Sequence, residues 1–283
     1  MILEERAYIK MKFSKRMDLF GESIFTTLAN MRSERKKQGL EVIDLSIGAP
    51  NIPPTQEVME TIAKEAMKPE NYLYAIKDSV DLQNTVKEWY ERRYGVVIDP
   101  TTELTSLLGS QDGLAHLALT LVDEGDTVLV QDPCYPIFRD GPLLAGAHVV
   151  TMPLLKENDY LIDFDRIDEK TAQDAKYMIV SYPNNPTCGV ANDEFYKKLI
   201  VFAKKYNIVV LHDNAYSELV FDGKVGKSFL SFAGAKEVGI ELNSFSKTYG
   251  MAGARLGVCV GNKEVIDCYN TLKSNMDYGI FLP

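Results

Sequence analysis

Short apolar segments rich in β-branched residues recur along the chain, and amphipathic helical segments separate them. The runs "YMIVSY" and "IVVLH" are apolar at successive positions, so both faces of each strand are expected to be buried. Strands of this kind that alternate with helices form mostly parallel sheets with helices on both faces. The pattern therefore predicts an α/β protein with three layers, α/β/α, around a mostly parallel mixed sheet.

The N-terminal part of the chain has a different pattern. Apolar positions recur at helical spacing from Met17 to Lys37, and Gly39 stands where a helix C-cap is expected. We therefore predict an N-terminal arm and helix over residues 1–45, followed by one large domain over residues 46–283.

Charge and cysteine usage limit the partners. The formal net charge is −9 and the pI is near 5.0, whereas nucleic-acid binding needs a basic excess, so a small-molecule or protein partner is expected and no nucleic acid. No apolar stretch approaches the roughly 20 residues of a membrane helix, so we expect no membrane partner. The four cysteines lack metal-ligand spacing and the N-terminus lacks a signal-peptide pattern, so we predict no metal and a cytoplasmic location.

Chemically reactive side chains follow three of the predicted strands. They are Asn185, Asp213, Tyr216, Ser244, Ser246 and Lys247. Ligand-binding groups collect at the carboxyl ends of strands in open α/β sheets, so we expect these side chains to lie close together. In the stretch "SLLGSQDGLAHL", Gly109, Ser110 and Gln111 lead from a strand into a helix, where free backbone N–H groups can bind an anion.

These groups match the chemistry of one cofactor. They fit a ligand with a phosphate, a ring nitrogen that benefits from a carboxylate, a phenolic oxygen, and an aldehyde that an amine can capture. Pyridoxal phosphate has all four features, and a lysine with an acidic partner for the ring nitrogen is its expected protein signature.

Three blocks, "NNPTCG", "DNAY" and "SFSKTYGMAGARLG", resemble the signature motifs of the class I/II aminotransferases, which are fold-type I pyridoxal-phosphate enzymes. The resemblance covers the chain from about Ser46 to its end. It implies that Lys247 forms the internal aldimine and that Asp213 pairs with the pyridinium nitrogen. It also implies further cofactor contacts: the phenolic oxygen with Tyr216 and Asn185, and the phosphate with Ser110, Gln111, Ser244 and Arg255.

The resemblance implies three further roles. Tyr135, in "DPCYP", matches the aromatic ring that stacks on the cofactor, and Gly48 matches a loop glycine beside the substrate carboxylate, which Asn185 also binds. A tyrosine of the neighbouring subunit contacts the phosphate; here it is Tyr72 or Tyr74, and we favour Tyr74. A homodimer is therefore expected.

Taken one at a time, several of these residues have simpler interpretations. Arg255 could pair with a surface acid, Ser110 and Gln111 could only cap a helix, and Tyr135 could belong to the core. The histidines show no ligand pattern, and we predict structural roles for them. His212 precedes Asp213 and is expected to point to the opposite face of its strand.

The implied function is amino-group transfer between a small amino acid and a 2-oxo acid. The family's smaller C-terminal domain, which supplies an arginine for the substrate carboxylate, has no counterpart in this sequence. One alternative is therefore a chain that binds the cofactor but is catalytically incomplete, and another is a carbon–sulfur β-lyase with the same cofactor residues. The stretches "GSQDGLAHL", "DPCYP" and "KSNMDYGIF" resemble the LL-diaminopimelate aminotransferase branch.

Overall fold

The computed structural model describes residues 11–46, 48 and 50–283. The chain divides into two compact units, Met1–Gly48 and Ala49–Pro283. The first ten residues of the predicted N-terminal arm lie outside the described residues. The assignment of residues 1–45 to a smaller domain and of 46–283 to a large cofactor-binding domain stays a prediction.

The second unit is built around one seven-stranded sheet with the order β1-β7-β6-β5-β4-β2-β3. Strands β2 to β6 all run parallel to one another. Strand β7 is antiparallel to both of its neighbours, β1 and β6. The prediction of a mostly parallel mixed sheet is therefore confirmed. The strands are β1 (Leu104–Leu107), β2 (Thr127–Asp132), β3 (His148–Pro153), β4 (Ala175–Ser181), β5 (Val209–Asp213), β6 (Gly239–Ser244) and β7 (Gly257–Gly261).

Helices connect most of these strands. The α-helices are α1 (Ile24–Lys37), α2 (Gln56–Ala66), α3 (Val80–Tyr94), α4 (Ser110–His116), α5 (Ala118–Leu121), α6 (Ile137–Leu144), α7 (Glu169–Asp174), α8 (Asp193–Tyr206), α9 (Ala235–Val238), α10 (Phe245–Thr248) and α11 (Lys263–Met276). Short 3₁₀ helices cover Lys15–Leu19, Pro69–Tyr72, Lys156–Asn158, Phe164–Arg166, Phe229–Ser231 and Ala252–Ala254. None of the described helices is long and apolar enough to cross a membrane.

Two apolar cores confirm the three-layer architecture. On one face of the sheet, Trp89 of α3 and Leu199 of α8 belong to one cluster. On the other face, Leu114 of α4, Phe138 of α6 and Ile266 of α11 belong to a second cluster. Successive strand residues alternate between the two clusters because side chains along a strand point to opposite faces.

The helical spacing of apolar residues from Met17 to Lys37 spans two separate helices in the structure. A short 3₁₀ helix ends at Leu19, and α1 begins only at Ile24. The hydroxyl of Ser23 accepts the backbone N–H of Phe25, so this serine caps a new helix, as serine commonly does at an N-cap. The predicted C-terminal end is confirmed, since Gly39 follows α1 with a left-handed φ of 75°.

Candidate active site

The parallel strands end at one edge of the sheet, and the predicted site residues lie just beyond these ends. Asp213 is the last residue of β5, Ser244 is the last residue of β6, and Lys247 follows in α10. Asp213 and Ser244 face the side of the sheet covered by α4, α6 and α11, because Leu211 and Leu242 on the same strands belong to that core. The fold thus places the carboxylate and the serine on one face.

Asp213 is an almost fully buried carboxylate with little compensation. It is 5% exposed, and its Oδ1 accepts the backbone N–H of Ala215 at 3.3 Å. Burial raises the pKa of Asp213 to about 6, although Lys247 and His212 lower it. A protonated ring nitrogen next to this oxygen would offset the burial of the charge.

Lys247 is a half-buried amine near this carboxylate. Its Nζ lies 5.6 Å from the centre of the Tyr216 ring. Burial lowers the pKa of Lys247, while the negative charge of Asp213 raises it in part. A lowered pKa increases the fraction of neutral amine, which is the form that attacks an aldehyde.

Tyr216 and Asn185 meet between β4 and β5. The side-chain amide of Asn185 donates to the Tyr216 hydroxyl at 3.5 Å. Burial, followed by the charge of Asp213, raises the pKa of Tyr216 to about 12, so the phenol keeps its proton at neutral pH. The structure therefore brings together two groups that can donate to an acceptor oxygen.

Tyr135 lies between the buried carboxylate and the exposed Arg255. Its hydroxyl donates to Oε1 of Gln111 at 2.9 Å. Its pKa is raised by burial and by Asp213 and is lowered by Arg255, so both charges act on this ring. Tyr135 is partly exposed and also packs against Phe138 of the core, with 6.2 Å between ring centres, so its stacking on the cofactor remains a prediction.

The turn from β1 into α4 is shaped by a glycine. Gly109 has a φ of 82°, and a Cβ at this residue would lie 2.5 Å from Nη2 of Arg255. The Arg255 guanidinium donates to the carbonyl oxygens of Leu108 and Ala252, each at 3.2 Å. Within the described part of the chain Arg255 takes part in no ion pair with an acid, so its charge remains available to an anion.

Ser110 and Ser244 lie on either side of the first residue of β7. Gly257 pairs with Ser244 in the sheet, and a Cβ on Gly257 would lie 2.9 Å from the backbone nitrogen of Ser110. The Ser244 hydroxyl accepts the N–H of Ser246 at 3.3 Å. The turn residues, Ser244 and Arg255 thus form one surface, which we call the anion end: residues 109–111, Ser244 and Arg255.

The sequence analysis missed the side chains that support this turn. Oδ2 of Asp112 accepts the N–H of Leu108 at 3.0 Å and lies 3.5 Å from Nζ of Lys273. Lys273 is 5% exposed and lies 3.1 Å from Oδ1 of Asp277. Potential metal-ligand atoms of Asp112, His116 and Asp277 lie within 4.8 Å of one another. The positive charge beside the two aspartates is the Lys273 ammonium. The sequence did hold a signal for this buried lysine. Lys273 follows Tyr269 by four residues and so lies on the apolar face of α11, where a lysine needs an acidic partner.

All predicted contacts with cofactor and substrate remain predictions, including those of Gly48 and of Tyr72 or Tyr74. Gly48 belongs to the first compact unit, and its contact with a substrate is not tested. Tyr72 and Tyr74 are 64% and 84% exposed, and the Tyr72 hydroxyl donates to the carbonyl oxygen of Ala66 at 2.7 Å. The Tyr74 ring packs edge-on against Tyr278 with 6.2 Å between ring centres.

The residues present fit pyridoxal phosphate. The buried, weakly compensated carboxylate of Asp213 suits a protonated ring nitrogen, and the half-buried amine of Lys247 suits an aldehyde. The glycine turn at Gly109 and the Arg255 guanidinium suit a phosphate. These observations concern three separate chemical features of one ligand.

Comparison with known proteins agrees with this site. Residues 41–279 match the family model described as aminotransferase class I and II. The chain is 43% identical to the LL-diaminopimelate aminotransferase of Dehalococcoides mccartyi and 42% identical to that of Aquifex aeolicus; each match covers 95% of this chain and 70% of the relative. Substrate-bound BacF from Bacillus subtilis superposes with a TM-score of 0.90 at 34% identity, covering 96% of this chain and 69% of that one.

The two LL-diaminopimelate relatives are aminotransferases, and nothing in the comparisons favours the β-lyase alternative. The family match covers most of the described chain, including every predicted site residue. The chain belongs to the class I and II aminotransferases, which are transferases that use pyridoxal phosphate to move amino groups.

Proposed function

We propose that this aminotransferase takes its amino group from LL-diaminopimelate and that Lys247 and Asp213 perform the chemistry. The observation that carries the residue roles is the placement of Asp213 at the end of β5 and of Lys247 just after β6, 5.6 Å from the centre of the Tyr216 ring. Burial raises the pKa of Asp213 to about 6 and lowers that of Lys247, which supports these roles. The donor is proposed from the names of the relatives with 42–43% identity.

The proposed roles follow from the positions of the side chains. Lys247 would hold the cofactor through its aldehyde carbon, and its neutral Nζ would take the proton from the substrate α-carbon. When bound, pyridoxal phosphate supplies a ring that accepts the electron pair left by this proton. Asp213 holds a proton on the ring nitrogen.

Other groups orient the ligands. Tyr216 and Asn185 donate to the phenolic oxygen, and Tyr135 covers one face of the ring. The phosphate is bound by the anion end, with Ser110, Gln111, Ser244 and Arg255 as donors. Gly48 and Asn185 are proposed to contact the substrate carboxylate.

We extend the proposal to assembly and location. A homodimer in which Tyr74 contacts the partner's phosphate is supported by the exposed aromatic and aliphatic side chains of residues 72–76. Sedimentation velocity tests it, because a monomer at all concentrations would contradict it. A cytoplasmic location is supported by the four unpaired cysteines, since free thiols persist in reducing compartments.

A spectroscopic titration tests the proposed function. The purified chain is titrated with pyridoxal phosphate and its visible absorbance recorded, and then LL-diaminopimelate, meso-diaminopimelate, glutamate, aspartate and alanine are added separately. We expect a cofactor spectrum that LL-diaminopimelate converts to that of the aminated cofactor and that a 2-oxo acid restores.

The outcomes separate the parts of the proposal. A chain that leaves the absorbance of free cofactor unchanged would contradict the binding site. Conversion by another donor, but not by LL-diaminopimelate, would leave the residue roles intact and overturn the donor. Release of pyruvate and ammonia from cystathionine without an oxo acid would show lyase chemistry instead.

A further inference from the structure

A buried cluster of polar side chains lies behind the candidate active site, on the other face of β5 and β6. His212 and Glu241 are directly paired across these strands, and both are 0% exposed. The next residue pair along the sheet is Asp213 and Leu242. Because side chains alternate along a strand, His212 and Glu241 point toward α3 and α8 while Asp213 points toward the candidate active site.

Hydrogen bonds show that Glu241 is a carboxylate. Its Oε1 accepts the hydroxyl of Tyr90 at 3.0 Å. Its Oε2 accepts the hydroxyl of Ser228 at 2.9 Å and the N–H of Phe229 at 2.8 Å, and it lies 3.2 Å from Nδ1 of His212. A protonated acid would direct its own proton at one of these donors, whereas a carboxylate accepts all of them.

The neighbours of His212 favour an imidazolium. Its Nδ1 donates to Glu241, and its Nε2 lies 3.3 Å from the hydroxyl of Tyr196. That hydroxyl also lies 3.4 Å from the carbonyl oxygen of Tyr182, which can only accept. Tyr196 has one proton, which it can give to this carbonyl or to Nε2; in the first case both ring nitrogens of His212 donate and the ring is an imidazolium. The resulting positive charge offsets a carboxylate that would otherwise be buried alone.

The other titratable groups that face the cluster stay neutral. Tyr90 and Tyr94 of α3 and Tyr196 of α8 all have raised pKa values because they are buried and, in second place, because they face the negative charge of Glu241. The charged groups next to these tyrosines are the Arg93–Glu218 ion pair, 2.8 Å apart beside the Tyr94 hydroxyl, and Asp193, which raises the pKa of Tyr196. On the opposite face, Asp213 lies near Lys247. The charge of the cluster therefore resides on His212 and Glu241.

Both members of the pair act on Asp213, with opposite signs. His212 lowers the pKa of Asp213, and Glu241 raises it. An unopposed Glu241 would favour an Asp213 that keeps its own proton, and an unopposed His212 would weaken its hold on a proton at a ligand nitrogen. Either change would impair the proposed role of Asp213, which is to hold a proton on the ring nitrogen.

We propose that His212 and Glu241 form a buried ion pair that positions Asp213. The pair joins β5 to β6 one residue before Asp213, and its two opposite charges cancel each other's effect on the Asp213 carboxylate. The inference rests on the proposed function, because it assumes that Asp213 faces the ring nitrogen of the cofactor. His212 and Glu241 touch neither cofactor nor substrate in this proposal.

The test measures the titration of Asp213 in the cofactor-free protein. Aspartate is labelled with ¹³C at the side-chain carboxyl, the Asp213 signal is assigned by its loss in Asp213→Asn, and its pH midpoint is followed by NMR. Glu241→Gln should lower the midpoint and His212→Asn should raise it, each by about half a pH unit or more. The double variant should return to within about 0.3 units of the wild-type midpoint, because it removes both charges.

A matched control separates charge from packing. Tyr90→Phe removes one hydrogen bond to Glu241 and leaves both charges, so it should lower thermal stability and leave the Asp213 midpoint unchanged. If Glu241→Gln does not fold, His212→Asn and the double variant carry the test, because removing both charges disturbs a buried pair less than removing one. Shifts of the same sign in both single variants, or no shift in His212→Asn, would overturn the ion pair.

Failure of this inference is distinguishable from failure of the proposed function. If the wild-type chain binds pyridoxal phosphate and responds to a donor while the Asp213 midpoint ignores both substitutions, only the inference is wrong. If the wild-type chain does not bind the cofactor, the proposed function is wrong, whatever the midpoints show.

Discussion

The two ends of the candidate active site differ in how their charges are treated. Asp213 is 5% exposed, and burial is the first cause of its raised pKa. At the anion end, Arg255 is exposed and the adjoining turn is shaped by Gly109 with its positive φ. At the carboxylate end, the properties of Asp213 are therefore set by its removal from water. At the anion end, the properties of the site are set by the backbone turn at Gly109 beside the solvent-exposed Arg255.

The difference follows from what each end has to hold. A guanidinium and free N–H groups stay charged or polar in water at little cost, and they bind a phosphate as it arrives. In water the charge of a carboxylate is solvated and screened, so it favours a proton on a nearby nitrogen only weakly, whereas burial strengthens that attraction. We therefore expect substitutions at the carboxylate end to change proton affinity and stability, and substitutions at the anion end to change cofactor affinity.

Replacement of Lys247 should have the largest effect, because this residue is proposed both to attach the cofactor and to act as the general base. Lys247→Ala should lose covalent attachment of the cofactor and slow amino transfer by about 10²–10⁴-fold or more, since the general base is removed. Borohydride reduction followed by mass spectrometry measures the attachment, and the absorbance change with donor measures the rate.

The exposed Lys198 of α8, which pairs with Glu194 at 3.1 Å, provides the control. Lys198→Ala should keep both attachment and rate. Retention of borohydride-fixed cofactor in Lys247→Ala would show that another lysine binds it.

Replacement of Asp213 should stabilise the cofactor-free protein at neutral pH. The folded-state pKa of about 6 lies above the ordinary value of 3.8, so the folded protein binds this proton more tightly than the unfolded chain does. The contribution of Asp213 to stability is complete below pH 4 and is lost as the pH rises to about 6. Asp213→Asn avoids this loss, so its stability advantage should grow from near zero at pH 4 to about 3 kcal/mol above pH 7.

Urea unfolding of the cofactor-free protein across this pH range measures the difference. Asp165→Asn, at an exposed carboxylate, should show none of the pH dependence. The same Asp213→Asn variant should transfer amino groups much more slowly once loaded, which is the usual exchange of stability against activity at such a site. A stability difference that does not change with pH would contradict the conclusion that burial raises the pKa of Asp213.

The motifs predicted the strand ends but not the lateral contacts between strands. Asp213 and Lys247 could be predicted because each follows an apolar run in a motif of fixed spacing, and parallel strands end at one edge of a sheet. Alternation along β5 also predicted that His212 faces away from Asp213, and this is confirmed by its contact with Glu241. The partner of His212 could not be predicted, because it depends on the register between β5 and β6.

The support of the anion end was missed for a similar reason. Asp112 bonds locally to Leu108, but its pairing with Lys273 joins segments 161 residues apart in sequence. The break between the two N-terminal helices was not predicted, because the apolar spacing continues through Phe20 while the capping serine at Ser23 has only a local effect. Local patterns thus gave the chemistry of the site and left out the contacts that hold it.

A glycine substitution tests whether backbone geometry governs the anion end. Gly109→Ala should reduce affinity for pyridoxal phosphate by about 10-fold, because the new Cβ would lie 2.5 Å from Nη2 of Arg255 and displace it. Gly125 is a matched control, since its φ of 89° is similar and nothing lies within 4 Å of an added Cβ.

Both alanine variants should lose stability, because side chains rarely adopt a positive φ; at Gly109, whose ψ is 154°, the loss should be about 1–3 kcal/mol. Only Gly109→Ala should also lose cofactor affinity, measured by equilibrium dialysis. Equal affinity losses in the two variants would mean that strain, and not the position of Arg255, limits binding.

The smallest effect concerns the tyrosine proposed to complete the anion end from a second chain. Tyr74→Phe should lower cofactor affinity by about 2–10-fold, the value of one hydrogen bond, and should leave stability unchanged because the ring is 84% exposed. Tyr72→Phe should do the reverse, since its hydroxyl already donates to Ala66 and its loss should cost about 1 kcal/mol. Affinity is measured by dialysis at concentrations where sedimentation shows the dimer. If only Tyr72→Phe weakens binding, the assignment is exchanged. If Tyr74→Phe weakens cofactor binding, two chains share the anion end. The carboxylate end, by contrast, is completed by buried residues of a single chain.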